Sequence, residues 1–200
     1  MPAPSRFHAA LADCPGIPLA VKCFRVVALS DLLKTGTTPT LLFDLGPRIS
    51  KGGQRFSPPD HHRGLYVSQE ADTAGAEFAH GWQAWKSGTC ADHARYGMEV
   101  KLASVLDLTS TAIRRTLKTS IKELHSPWEE YAANHGGAWP ATWELGQAAF
   151  ISGRFDAIRF PSYRRPAAGS CLLIFTERLV VGSTHVTIHR TDGSVWERLP

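Results

Sequence analysis

Residues Gly52–Phe78 read GGQRFSPPDHHRGLYVSQEADTAGAEF, and three local patterns follow one another inside that stretch. Gly52, Gly53, Pro58 and Pro59 punctuate a loop that begins near Gly46. Gly64–Val67 (GLYV) is a short strand candidate. Ser68–Thr73 then leads into Ala74–Lys86, where Ala, Phe and Trp recur at helical spacing. Asp72 or Thr73 supplies a side-chain oxygen of the kind that caps a helix N-terminus. Loop, strand and helix in immediate succession already argue for a mixed fold.

Working outward, Leu19–Leu29 (LAVKCFRVVAL) reads as the first core strand, broken by Leu32–Pro39. Met1–Pro18 carries four prolines and predicts an irregular or partly helical lead-in. Downstream, Glu99–Leu108 predicts a strand that turns at Asp107 and Thr109 into a helix over Ser110–Leu117. Trp143–Ile151 predicts a short helix ending near Gly153. Ala157–Pro161 and Cys171–Phe175 are strands flanking the loop Ser162–Ser170. Thr184–Arg190 and Val195–Arg198 surround Asp192-Gly193, a hairpin signature. With 200 residues the chain is long enough for about one domain. The reading is α+β, a mixed sheet core with flanking helices.

Composition narrows the function classes. At 43% hydrophobic residues the chain can bury a core, which excludes general disorder. Cys171–Phe175 and Leu179–Val181 are the longest apolar stretches and fall far short of a membrane span. A net charge of +4 is only mildly basic, whereas dedicated nucleic-acid binders concentrate positive charge more strongly. Cys14, Cys23, Cys90 and Cys171 form no C-x-x-C pair, and no basic region followed by an apolar run opens the chain. That pattern predicts a cytoplasmic protein. Dinucleotide-binding, phosphate-loop, zinc-protease and nucleophile-elbow motifs are absent. Asp60-His61-His62 and Cys90 with His93 lack a second half at matching spacing, so no metal is expected. Glu129-Glu130 reads as a solvated face, since neighbours on a helix point apart. Arg114, Arg115, Lys118 and Lys122 recur as one basic helical stripe. Trp82, Trp85, Trp139 and Trp143 read as core.

Arg55, Tyr66, Glu77 and Ser162 carry the chemistry. Arg55 follows two glycines, where backbone can approach a ligand and a guanidinium can grip phosphate with two hydrogen bonds. Tyr66 lies on the short strand. Glu77 sits inside a mainly apolar helix, where a carboxylate needs a partner or a task. Ser162 follows a strand, at a place where its hydroxyl can enter a cleft.

The stretches Gly52–Phe78, FDAIRFPS…CLLIF (Phe155–Phe175) and CFRVV (Cys23–Val27) resemble the RES domain family, the toxin half of RES–Xre toxin–antitoxin systems. The family's namesake Arg, Glu and Ser correspond to Arg55, Glu77 and Ser162, and its strand tyrosine to Tyr66. Arg25 matches the family's opening strand arginine. The resemblance spans residues 22–182, with 1–21 as lead-in and 183–200 as a C-terminal hairpin packed on the same domain. It implies a fold related to ADP-ribosyltransferases, with NAD as a substrate and no resident cofactor. Glu77, Arg55 and Ser162 are the implied catalytic residues. Arg55, Tyr66, Ser162 and Arg25 are the implied NAD contacts, with Arg48 as an alternative second cation. The implied activity is cleavage of the nicotinamide–ribose bond by hydrolysis or phosphorolysis. ADP-ribose transfer to a macromolecule is the alternative, and nucleic-acid binding without catalysis a second. An Xre-like antitoxin in a hetero-oligomer is the implied partner, with no membrane and no direct nucleic-acid contact. The stretch Arg55–Tyr66 is longer than in many members, and Ser126–Trp143 resembles an insertion.

Overall fold

Two long amphipathic strands build the frame. The computed structural model describes residues 5–34, 36–43, 53–62, 64–86, 92–165 and 169–200, with backbone alone at 40–41 and 81–86. Helix α1 (Phe7–Ala12) leads into β1 (Ile17–Ala28). Short helices α2 (Leu29–Leu32) and α3 (Pro39–Leu42) follow. Then come β2 (Leu65–Ser68), α4 (Ala71–Lys86) and β3 (His93–Asp107). Helices α5 (Thr111–Thr116), α6 (Ile121–Leu124), α7 (Trp128–Asn134) and α8 (Ala141–Ser152) succeed one another. Strands β4 (Ala157–Pro161), β5 (Ser170–Ile174), β6 (His185–His189) and β7 (Val195–Leu199) complete the order.

Alternation decides which side of each strand is buried. Along β3, Tyr96, Met98, Val100 and Leu102 point into a core while their neighbours Glu99 and Lys101 face out. β1 pairs antiparallel with β3 from Ala28 opposite His93 to Ile17 opposite Val105. The other edge of β1 meets β2 at Phe24 and Ser68. β2 pairs with β5, β5 with β4, and β4 runs parallel to the end of β3. The pairings therefore close a ring β1-β2-β5-β4-β3, and β6 and β7 extend it from β3.

β5 is buried along its whole length and β4 at every residue but Arg159, as central strands covered on both sides must be. Leu172 and Ile174 join Leu65, Val67 and Met98 in one cluster. Cys171 and Leu173 turn the other way, packing with Ile158, Phe160 and the helices α1, α5, α6 and α8. The lead-in belongs to this second cluster: Phe7 and Leu11 are buried in it, and Arg154 donates to the Leu11 and Cys14 carbonyls. The C-terminal hairpin is likewise part of the sheet, because Val186 and Ile188 of β6 are fully buried.

Three local expectations change. α4 begins at Ala71, so Asp72 and Thr73 lie within the helix and do not cap it; Asp72 instead faces Arg165 at 3.3 Å. The basic stripe does not form, because α5 stops at Thr116 and Lys118 takes a positive φ of 50° that reverses the chain. Arg114 is spent on the Leu108 and Thr109 carbonyls. His62 does not sit on a polar loop surface: it is buried, stacked 4.7 Å from Phe150, with its Nδ1 2.9 Å from Gln147 Oε1. Burial pulls its pKa down to about 4. No cluster of three metal-ligating side chains occurs among the described residues. Arg48, Cys90 and the side chains of Trp82 and Trp85 lie outside what is described.

Candidate active site

A cavity of about 810 Å³ opens beside β1, β2 and α4, within the size range of small-molecule and cofactor sites. Arg25, Arg55, Tyr66 and Glu77 all line it. The closed ring of strands brings these positions together.

Arg55 stands on a tight turn. Gln54 and Ser57 exchange both backbone hydrogen bonds, at 2.7 and 3.0 Å, leaving Arg55 and Phe56 at the tip. Three neighbours fix that turn. Trp143 Nε1–H donates to the Gln54 carbonyl at 2.8 Å, and the Phe56 amide donates to the Tyr66 hydroxyl at 2.9 Å. Gly146 of α8 lets the helix touch the turn, since a Cβ there would lie 1.8 Å from the Phe56 carbonyl oxygen. The Arg55 guanidinium donates to the Leu124 carbonyl at 2.8 Å and lies 5.8 Å from the Tyr163 ring centroid. Burial pulls its pKa below the ordinary arginine value, while the charge of Glu77 acts in the opposite direction.

Tyr66 is held at both ends. Its carbonyl accepts from Arg25 at 2.7 Å, and its hydroxyl is committed to the Phe56 amide. Burial pushes the phenol up to about 12, so it remains protonated at neutral pH. Tyr66 therefore braces the Arg55 turn as well as walling the cavity. Arg25 uses one guanidinium nitrogen on that backbone, which fixes its place at the cavity wall.

Ser162 departs from the expectation of a direct ligand contact. It is fully buried and is not among the cavity-lining side chains. Its hydroxyl donates to Glu77 Oε1 at 2.5 Å and accepts the amides of Arg164 and Arg165, each at 3.1 Å. One oxygen thus aims the carboxylate and folds the loop after β4. Glu77 itself lines the cavity.

Sequence reasoning missed several lining residues. His80 lies one helical turn beyond Glu77 and touches Arg164. Arg164 itself stacks 4.2 Å from the Tyr163 ring centroid. His125 meets the same tyrosine edge-on, with its Nε2 3.2 Å from the Pro161 carbonyl. The stretch Ser126–Glu129 supplies one wall, so the segment that looked like an insertion shapes the cavity. Of the paired acids, Glu129 faces this space, although both it and Glu130 are exposed. The signal available for His80 was its spacing from Glu77; nothing local marked Glu129 or His125.

A family model matches most of the chain. The RES domain model covers residues 22–193, reaching into the C-terminal hairpin, and the chain belongs to that family. Its fold is similar to that in the crystal structure of the M. tuberculosis MbcT–MbcA toxin–antitoxin complex. The TM-score is 0.63 and the identity 16%, over 96% of this chain and 90% of the other. No curated protein matches the sequence. Among the described residues no helix is long and apolar enough to cross a membrane.

Proposed function

We propose that this chain is the NAD-consuming toxin of a toxin–antitoxin pair, cleaving the bond between nicotinamide and ribose with water or phosphate as acceptor. The observation that carries the reading is the Glu77 carboxylate, aimed by Ser162 and set with the Arg55 cation in one cavity. As the bond breaks, its electron pair leaves with the nicotinamide nitrogen and the ribose acquires oxocarbenium character. A carboxylate already in place stabilises that charge without reorganising. The acceptor oxygen then bonds to the ribose carbon and its proton passes to solvent.

Arg55 grips the diphosphate, with Arg25 on the same wall. Tyr66 presents its ring to the ribose and nicotinamide while its hydroxyl keeps the Arg55 turn closed. The fold-level neighbour was crystallised as a toxin with its antitoxin, and an Xre-like antitoxin is the partner we assign here. Nucleic-acid binding without catalysis loses its motivating feature, because the basic stripe is broken at Lys118. The test is incubation of the protein with labelled NAD, with and without phosphate, in buffer and in lysate. Free ADP-ribose identifies hydrolysis, and its phosphorylated form identifies phosphorolysis. A labelled macromolecule identifies transfer, and untouched NAD in every arm refutes the reading.

A further inference from the structure

We propose that Arg164 is the second cation of the substrate-binding clamp, acting with Arg55 on the diphosphate, and that His80 is its positioning residue. This rests on the NAD reading above. The two guanidiniums flank one ring: Arg55 lies 5.8 Å and Arg164 4.2 Å from the Tyr163 centroid. Two like charges gathered at one ring repel each other, as the effect of Arg164 on the Arg55 pKa shows, and an anion lying between them removes that cost. Arg25 also lines the cavity, but its guanidinium donates to the Tyr66 carbonyl of the neighbouring strand.

Arg164 is placed with care. Its backbone amide is held by Ser162, the residue that aims Glu77, so acid and cation share one anchor. Its side chain contacts a ring nitrogen of His80, which lies on the same face of α4 as Glu77. Burial and the nearby Arg164 charge hold His80 below the ordinary histidine pKa, so the ring is an uncharged acceptor at neutral pH. Glu77, Glu129 and Arg55 are the other charges that act on it.

Steady-state NAD cleavage, with ADP-ribose as competing product, tests the assignment. Arg164→Ala should raise KM and weaken ADP-ribose inhibition on the order of tenfold to a hundredfold, the loss expected for one charge-assisted contact. Its effect on kcat should be smaller. Arg164→Gln keeps the length, removes the charge and gives the same reading if the alanine variant unfolds. His80→Ala should raise KM several-fold, whereas His80→Gln, which restores an acceptor oxygen, should return it towards the wild-type value. Arg164 variants with wild-type KM, beside an Arg55→Ala variant whose KM rises, overturn the clamp and leave the function standing. Wild-type protein that leaves NAD intact overturns the function and the clamp together.

Discussion

Replacing Ser162 by alanine removes one oxygen that serves two purposes. The hydroxyl gives Glu77 a 2.5 Å charge-assisted hydrogen bond and accepts two amides from the loop after β4. Hydrogen bonds to charged groups contribute about 1.5–3 kcal/mol, and misplacing a reacting group by about 1 Å can cost about a hundredfold in rate. Ser162→Ala should therefore lower kcat for NAD by about ten- to a hundredfold. KM should rise by less, since Arg55 keeps its place and Arg164 loses only the tie from its backbone amide. Loss of an acceptor for buried amides should also reduce unfolding stability by about 1–3 kcal/mol. NAD turnover and urea unfolding, measured on one preparation, separate the two effects. A variant that unfolds at the wild-type urea concentration and turns over NAD at the wild-type rate refutes the positioning argument.

Gly146→Ala should destabilise the fold by about 2 kcal/mol or more, because its Cβ meets the Phe56 carbonyl oxygen at 1.8 Å and neither backbone can yield cheaply. Equal urea midpoints for variant and wild type would sink that claim. His62 gives a pH effect whose sign is fixed by burial. Its folded pKa is about 4 against an ordinary 6.5, so between those values the unfolded chain binds the extra proton. Stability should fall as pH drops through that window, by up to about 3 kcal/mol. His62→Gln should lose less stability than wild type between about pH 7.5 and about pH 4.5; an equal loss contradicts the assignment.

Local signals found much of the frame. β4 runs Ala157–Pro161 as the apolar run indicated, and Asp192-Gly193 makes the expected hairpin with Gly193 at φ 85°. α8 ends at Gly153 in the left-handed conformation that glycine adopts freely. These features depend on neighbours in sequence. The Ser162–Glu77 bond does not, since it joins residues 85 apart and exists only when the strand ring closes. Spacing cannot show which way a hydroxyl turns, so Ser162 looked like a ligand contact and is instead a support. The basic stripe failed for the reverse reason: a helical period persists in the letters across Lys118, where the backbone leaves the helix. His62 looked polar beside Asp60 and His61, and its apolar partners Phe150 and Phe175 come from distant segments. Trp143 read correctly as core, yet its indole also fixes the turn that carries Arg55.

The proposed NAD cleavage depends most directly on the Glu77 carboxylate. Its most direct test is the time course of NAD loss, with products resolved by chromatography, for wild type and for Glu77→Gln. The substitution keeps the side chain's shape and an oxygen for Ser162 while removing the charge. Wild type should release nicotinamide, and the variant should stay folded with most of that turnover lost. Glu77→Gln working at the wild-type rate would show that the charge at this position does not drive the reaction.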